Sequence, residues 1–406
     1  MPAVFFVIAL ILGLAPWRAV AFETSATAAW IYDQTTGTVL LNKNADEPLP
    51  PASMSKLMTI YMAFEAVADG RLDINAVLPV SDHASSFGGS SMFLDPRDRV
   101  RVEDLLRGVI VLSGNDASVV LAEALSPDGT EAGFARMMTE RARAMGMTNS
   151  TFINASGWPA AGHRMSMHDL GILADRIIRD FPTFYPLFAE QEFLFDGRVP
   201  SNTQNRNPIL GLGIGADGLK TGHTQEAGYG LVGSARQGDR RIIFVLTGMP
   251  DEATRRDESE RLVNWAFLQF AEREIGAAGT RLAEAAVWMG EVPSVGLVLA
   301  DDLRILVPAL LGEAGMHAEV VYVGPVSAPV TAGQEIAMLR ITRTDLPTVE
   351  VPLVAEADVP SGGFSVRLRT TFDVLWRRFG PAPEPAAAAG TGAAGFAMVP
   401  HGSGGT

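Results

Sequence analysis

Apolar and polar residues alternate along two parts of the chain, and each part predicts a β-hairpin. The alternation runs through residues 28–32 and 38–41 around turn formers at 34–37, and it returns at 231–235 and 242–246. A period of two residues is typical of strands with one buried face. Turn formers between two such runs indicate an antiparallel hairpin.

Between these hairpins the apolar positions follow a helical period. Leu57, Tyr61 and Phe64 lie at helical spacing within a helix predicted over residues 53–69, which Gly70 closes. Further helices are predicted at 102–112, 117–125, 131–145, 166–179 and 258–270. The first domain is therefore predicted as a helical cluster with an antiparallel sheet built from both ends of its sequence.

The pattern changes to short strands from about residue 285 to residue 355. Clusters of Gly, Pro and Asp separate these strands, which are predicted at 303–307, 318–323, 336–341 and 349–354. We therefore expect an α+β fold class in which a small all-β domain follows the first domain. Residues 381–406 are rich in Ala, Gly and Pro and nearly free of charge, which predicts disorder.

The composition excludes several classes of function. The 406 residues are 47% hydrophobic and 19% charged, as in ordinary soluble proteins, and they leave room for two or more domains. A net charge of -14 without a basic run argues against a nucleic-acid partner. Because cysteine is absent and the six histidines form no His-Glu-x-x-His pattern, we expect neither a disulfide nor a metal or other cofactor.

The N-terminus carries features of a secretory signal peptide. An apolar run over residues 4–14 precedes Ala19-Val20-Ala21, an Ala-x-Ala site at which cleavage after Ala21 is expected. An uncleaved anchor or a buried strand is the alternative. Residues 1–21 are therefore predicted to be the signal peptide of an exported protein.

Ser53 and Lys56 form the first of three short motifs with chemical meaning. They are three residues apart at a predicted helix start, so both side chains lie on one face of its first turn. A serine hydroxyl attacks well only when a nearby base takes its proton, and a lysine held neutral by burial is such a base. The helix N-terminus adds N–H groups where an oxyanion would develop. A capping serine followed by an exposed lysine is the structural alternative.

Ser113-Gly114-Asn115 is the second motif, and it lies between two predicted helices. The Ser113 hydroxyl can relay protons between Lys56 and a leaving group, while the Asn115 amide can hold a substrate carbonyl. In isolation this tripeptide is also an ordinary turn between helices, because all three residue types favour turns.

Lys220-Thr221-Gly222 is the third motif, on a strand predicted at 218–224. A peptide substrate can add to such a strand along the sheet edge, and the absence of a Cβ at Gly222 allows close approach of its backbone. Lys220 and Thr221 offer a charge and a hydroxyl to a terminal carboxylate. The alternative is a plain polar edge strand, where lysine is common.

The three motifs occur together in penicillin-binding proteins and class A β-lactamases. The chain resembles the low-molecular-mass penicillin-binding proteins, specifically the D-alanyl-D-alanine carboxypeptidases of the penicillin-binding protein 5 type, from about Ala28 to Gly380. The matching stretches are Pro51-Ala52-Ser53, Gly89-Ser90-Ser91-Met92-Phe93-Leu94, Ser113-Gly114-Asn115-Asp116-Ala117, Asn205-Arg206-Asn207 and Asp217-Gly218-Leu219-Lys220-Thr221-Gly222-His223-Thr224.

The resemblance implies a role for each candidate residue. Ser53 is the implied nucleophile, Lys56 the general base and Ser113 the third catalytic residue. The implied oxyanion hole consists of the backbone N–H groups of Ser53 and His223, and Arg255 aligns with a family arginine near the carboxylate site. The implied substrate-binding residues are Asn115, Lys220, Thr221, Gly222, His223 and Arg255. Asp169 also matches a family aspartate, although capping together with Ser166 explains it equally well.

The resemblance also implies the order of domains. A catalytic domain is expected at 22–282, an all-β domain at 283–360 and an amphipathic membrane-anchor helix at 361–380. A helix from Phe364 to Phe379 has one apolar stripe with arginines beside it, and it is too short to span a bilayer but suited to its interface. The alternative is that this helix packs on the β domain. The tail at 381–406 departs from the family pattern, in which the anchor normally ends the protein.

We therefore predict an exported serine D-Ala-D-Ala carboxypeptidase, peripheral on the periplasmic face of the inner membrane. Its expected partners are peptidoglycan stem peptides ending in D-Ala-D-Ala, β-lactam antibiotics and the membrane surface. A D,D-endopeptidase, a class A-like β-lactamase and a non-catalytic muropeptide-binding protein are the alternatives. The β-lactamase is disfavoured because no glutamate between Asn115 and Lys220 has an asparagine four residues on.

Overall fold

The computed structural model describes residues 22–364. The signal peptide predicted at 1–21, the disordered tail predicted at 381–406 and all but residues 361–364 of the anchor helix predicted at 361–380 lie outside the described residues. Within the described part, no helix is long and apolar enough to cross a bilayer. The chain divides into two compact units, of which the first contains residues 22–278, Asp301–Val320 and Leu339–Val351. The second contains Gly279–Ala300, Val321–Met338 and residues 352–364.

A five-stranded antiparallel sheet organises the first unit, and its strand order is β2-β1-β7-β6-β5. The first seven strands of the described chain are β1 (Ala28–Asp33), β2 (Thr38–Lys43), β3 (Val77–Pro79), β4 (Arg99–Arg101), β5 (Ala216–Thr224), β6 (Gly228–Gln237) and β7 (Arg240–Met249). Both predicted hairpins are confirmed, since Asp33 pairs with Thr38 and Gln237 pairs with Arg240. Strand β5 stands last in the order, so among the described strands none pairs with its outer edge.

Seven α-helices are described between residues 22 and 364. They are α1 (Lys56–Ala68), α2 (Asp82–Ser85), α3 (Val102–Ile110), α4 (Asn115–Leu125), α5 (Glu131–Ala144), α6 (Met167–Asp180) and α7 (Glu252–Gln269). Helix α1 is buried on nearly all sides, with Leu57, Ile60 and Phe64 fully inaccessible. An all-round apolar helix is typical of the centre of a domain.

The start of the last helix differs from the sequence prediction. Helix α7 begins at Glu252, six residues before the predicted start at 258, and Phe270 already belongs to a strand. Asp251 caps this helix, because its carboxylate accepts a hydrogen bond from the Thr254 N–H at 2.7 Å. The added turn carries mostly polar residues, and so it shows no apolar period.

The remaining strands are β8 (Phe270–Gly276), β9 (Arg281–Trp288), β10 (Ser294–Leu299), β11 (Leu303–Pro308), β12 (Met316–Tyr322), β13 (Val326–Ser327), β14 (Glu335–Arg343) and β15 (Leu346–Ala355). Six of them form a sheet in the order β12-β14-β15-β10-β9-β13, and β11 pairs with β8. The predicted α+β fold class, with an all-β region after the helical and sheet domain, is confirmed.

Candidate active site

Ser53 lies on a 3-10 turn, Ala52–Ser55, that leads directly into α1. Ala52 has a φ of 48°, and its carbonyl oxygen would lie 1.9 Å from a Cβ at Gly157. On the β5 side, a Cβ at Gly222 would lie 2.9 Å from the carbonyl oxygen of Pro51. Glycine is therefore needed at 157 and favoured at 222 because the turn carrying Ser53 is packed tightly between a loop and β5.

Lys56 is fully buried and its amine has three polar neighbours. Its Nζ lies 2.8 Å from Ser53 Oγ, 2.7 Å from Asn115 Oδ1 and 2.6 Å from the carbonyl oxygen of Ser156. The two carbonyl oxygens only accept hydrogen bonds. A neutral amine therefore donates its two N–H groups to them and turns its lone pair toward the Ser53 hydroxyl.

Burial also favours the neutral form of Lys56. Its pKa is lowered to about 7, chiefly because the amine is removed from water; the positive charge of Arg206 acts in the same direction, and Asp116 opposes the shift. Asp116 is itself a buried anchor, since it accepts hydrogen bonds from Ser91 Oγ and the Met92 and Leu94 N–H groups at 2.6, 2.9 and 3.0 Å. Near neutral pH, a substantial fraction of Lys56 is thus available as a base.

Ser113 and Asn115 lie where α3 gives way to α4. Ser113 has a φ of 60°, and Asn115 is the first residue of α4. While Oδ1 of Asn115 accepts from Lys56, its Nδ2 donates to the carbonyl oxygen of Gly88 at 2.8 Å. An amide nitrogen carries two hydrogens, so one donor remains for the substrate carbonyl that the sequence analysis assigned to it.

Lys220 projects from β5 onto Ser113. Its buried amine donates to Ser113 Oγ at 2.9 Å, so the second and third sequence motifs meet directly. Burial lowers the pKa of Lys220 well below its usual range, and the positive charges of Lys56, Arg206 and Arg255 act in the same direction. Lys56 and Lys220 are therefore two buried amines in one positive field.

The other predicted residues occupy the continuation of β5 and the start of α7. Thr221 is buried, whereas His223 is exposed and stacks on Tyr229 with ring centroids 3.9 Å apart. The Arg255 guanidinium lies 5.5 Å from the centre of the same Tyr229 ring. Tyr229 thus connects Arg255 to the strand that carries the third motif.

Several residues of the site were missed by sequence reasoning. The Ser156 carbonyl contacts Lys56 from a loop one hundred positions away in sequence. His163 is buried, and its Nε2 lies 2.8 Å from Ser55 Oγ while its Nδ1 accepts from the Ile153 N–H at 3.3 Å. Burial lowers the pKa of His163 to about 4, which makes it neutral at pH 7.

Two further residues clarify roles that the sequence left open. Arg206, inside the quoted Asn205-Arg206-Asn207 stretch, donates to Ser90 Oγ and was not chosen as a site residue. Asp169 donates its N–H to Ser166 Oγ at 3.1 Å and accepts from Ser150 Oγ at 2.7 Å. These contacts support the capping explanation for Asp169.

This fold and arrangement define a serine acyl-transfer enzyme of the penicillin-binding class, with a lysine rather than a histidine beside the serine. A family profile described as D-alanyl-D-alanine carboxypeptidase matches residues 16–251, and one described as the penicillin-binding protein 5 C-terminal domain matches residues 270–361. The chain belongs to the D-alanyl-D-alanine carboxypeptidase family, and it is a serine peptidase.

Individual relatives agree with this assignment over most of their length. The D-alanyl-D-alanine carboxypeptidase DacC of Escherichia coli is 34% identical over 84% of this chain and 86% of its own. DacF of Bacillus subtilis is 31% identical over 87% and 90%. The crystal structure of penicillin-binding protein 5 from Haemophilus influenzae matches with a TM-score of 0.73 at 32% identity, covering 84% of this chain and 98% of that one. The predicted family and the predicted serine D-Ala-D-Ala carboxypeptidase activity are confirmed.

Proposed function

We propose that this carboxypeptidase removes the terminal D-alanine from peptidoglycan stem pentapeptides through an acyl-enzyme on Ser53. The observation that carries the proposal is the 2.8 Å contact between Lys56 Nζ and Ser53 Oγ, with two carbonyl oxygens occupying the other directions around the amine. Further support comes from a relative at 31% identity, penicillin-binding protein D2 of Listeria monocytogenes, which has a structure in the ampicillin-bound form.

Acylation begins with proton transfer from Ser53 to neutral Lys56. The Ser53 oxygen attacks the carbonyl carbon of the penultimate D-alanine, and a tetrahedral oxyanion forms. The N–H groups of Ser53 and His223 stabilise that oxyanion by hydrogen bonds that strengthen as its charge develops. At this stage Lys56 holds the proton that Ser53 gave up.

Departure of D-alanine needs a proton on its nitrogen. Ser113 gives its hydroxyl proton to that nitrogen and takes the proton that Lys56 received from Ser53, so Lys56 becomes neutral again. The hydrogen bond from Lys220 to the Ser113 hydroxyl, at 2.9 Å, supports this role. The bond between the carbonyl carbon and that nitrogen then breaks. The acyl group remains on Ser53, and the departing D-alanine carries its proton away.

The substrate carboxylate is held by the positive charges around the middle of strand β5. Lys220 and Thr221 lie on β5, and Arg206 and Arg255 are close enough to lower the pKa of Lys220. A carboxylate bound beside these residues is stabilised by several positive charges at once. This requirement favours a free C-terminus, and therefore a carboxypeptidase.

Hydrolysis of the acyl-enzyme uses the same base in a second round. After D-alanine has left, a water molecule occupies its place, gives a proton to neutral Lys56 and attacks the ester carbonyl. The bond between the carbonyl carbon and Ser53 Oγ then breaks, and Lys56 returns the proton to Ser53. A β-lactam keeps its leaving group tethered after ring opening, so the water's place stays filled and deacylation is slow.

Mass spectrometry of muropeptides after incubation with the protein tests this function. Release of a single D-alanine from pentapeptide stems is the expected result. Cleavage of cross-links would instead identify a D,D-endopeptidase, and unchanged muropeptides would identify a binding protein without turnover.

Localisation forms part of the same proposal. The apolar run at 4–14 and the Ala-x-Ala site ending at Ala21 support export, and the amphipathic sequence from Phe364 to Phe379 supports attachment to the periplasmic face of the inner membrane. Peptidoglycan stem peptides and β-lactams are then reached outside the cytoplasm.

A further inference from the structure

The direction of the substrate along β5 follows from the order of residues on this strand. In the proposed function, Lys220 and Thr221 hold the carboxylate and the His223 N–H belongs to the oxyanion hole. Lys220 and Thr221 precede His223 on β5. A substrate docked on the open edge therefore runs antiparallel to β5. The residues upstream of D-Ala-D-Ala point past Thr224, toward the turn between β5 and β6. This step rests on the proposed function.

A cavity of about 480 Å³ lies at that end of the strand. It is lined by residues of the β5–β6 turn, by Pro50 just before the Ser53 turn and by Met249 at the end of β7. Of the described residues that line it, Glu226 alone carries a carboxylate. The cavity is therefore open to a long side chain and carries one negative charge.

Glu226 stands where this cavity meets a narrower one on the side of the 157–164 loop. Both are lined by Pro50, Thr224 and Glu226. Glu226 Oε1 lies 2.9 Å from Arg164 Nη2, and the two side chains are 57% and 34% exposed. Exposed ion pairs contribute little stability, so the carboxylate can accept a second cation at small cost.

We propose that this cavity binds the side chain of the residue that precedes D-Ala-D-Ala, and that Glu226 selects a side chain ending in a free ammonium group. Apolar stem atoms pack on Pro50 and Met249, while the ammonium reaches the carboxylate at the rim. Arg164 competes with the substrate for that carboxylate. The strength of selection is therefore set by both members of the pair.

Two peptides differing in one group test the proposal on the full-length protein. They are acetyl-lysyl-D-Ala-D-Ala with a free side-chain amine and the same peptide with that amine acetylated. The wild type should show kcat/KM about three- to fivefold higher for the free amine, the range that an exposed ion pair supports. Glu226→Gln should remove this preference and Arg164→Gln should enlarge it. Glu140→Gln, on an exposed position of α5, is the control with the same charge change.

Competition of each peptide with benzylpenicillin labelling provides a second readout that needs no turnover. If neither peptide releases D-alanine, the proposed function fails. The ratio of the two peptides' strengths in competing with benzylpenicillin labelling still decides this inference. Equal ratios for the two peptides in the wild type, or a preference that survives in Glu226→Gln, would overturn it. A preference that Glu226→Gln removes and Glu140→Gln retains supports it.

Discussion

Lys56 and Lys220 are two buried amines in one site, and the charge of Lys56 bears on the protonation of Lys220. Positive charge from Lys56, Arg206 and Arg255 adds to burial in lowering the pKa of Lys220, and Arg206 also lowers that of Lys56. Of these groups, Lys56 alone contacts Ser53 Oγ. Burial and nearby positive charge thus suit Lys56 to the proposed role of base, which a histidine supplies in other serine enzymes.

Replacement of Lys56 by arginine tests the need for a neutral base. Lys56→Arg keeps a positive charge but cannot lose its proton in a protein. We expect acylation by benzylpenicillin to slow by about 100-fold or more, the range of general-base catalysis. Lys43→Arg, on β2, is the matched control and should acylate normally. Near-normal acylation by a folded Lys56→Arg protein would place the base elsewhere.

The pH dependence of acylation follows from the pKa of Lys56 near 7. Below this pH the amine is protonated and cannot accept the Ser53 proton, so the rate should fall about tenfold per pH unit, and above it the rate should level off. Arg206→Gln removes a charge that lowers this pKa, so the midpoint should move to higher pH. A rate independent of pH between 5 and 8 would contradict the assignment.

Sequence reasoning reached the site residues that lie in short motifs. Ser53 with Lys56, and Ser113 with Asn115, are each close in sequence, and their types carry recognisable chemistry. The Ser156 carbonyl was not predicted, because every residue has a backbone carbonyl and the residue type therefore gives no signal. His163 was not predicted, because it is distant from Ser55 in sequence and only folding brings the two together. The lowered pKa of Lys56 also depends on burial, which a motif does not express.

At the scale of elements, the site depends on how closely the 157 loop packs against the Ser53 turn. Helix α1 was predicted from periodicity and strand β5 as the strand that carries the third motif, and their positions fix Lys56 and Lys220. The early turn of α7 was missed because its polar residues have no apolar period, although Asp251 gave a capping signal. Close packing between distant loops has no signal in a single sequence.

Gly157→Ala tests that packing. A Cβ at this position would lie 1.9 Å from the Ala52 carbonyl oxygen, at a φ of 75°. Gly146 has a φ of 86° with nothing within 4 Å of a Cβ, so Gly146→Ala measures backbone strain alone. We expect Gly146→Ala to cost about 1–2 kcal/mol and Gly157→Ala to lower the melting temperature much further, with loss of acylation. Equal melting temperatures for the two variants would show that the turn carrying Ser53 shifts to accommodate the added Cβ at little cost.

For the whole molecule, composition and pattern predicted the α+β class and the order of a mixed domain before an all-β region. The sequence did not predict which of the strands from β8 to β15 pair with one another, because short strands with similar patterns do not specify their partners. The arrangement of the membrane-directed segment lies outside residues 22–364, so the anchor remains a prediction.

Truncation after Gly362 tests the anchor. The sequence from Phe364 to Phe379 combines an apolar stripe with arginines, which suits an anionic membrane surface. We expect the truncated protein to lose sedimentation with anionic liposomes while its activity in solution is kept. Undiminished liposome binding would rule out the anchor, and joint loss of binding and folding would assign the helix to the β domain.

Covalent trapping tests the central claim, that Ser53 is the acylated residue of this enzyme. Benzylpenicillin should add to the protein once, on the peptide that contains Ser53, and Ser53→Ala should abolish the adduct. Ser55 and Ser113 are internal controls, since they lie in the same site with other partners, His163 and Lys220. A label on either of these serines, or no label on folded protein, would contradict the mechanism.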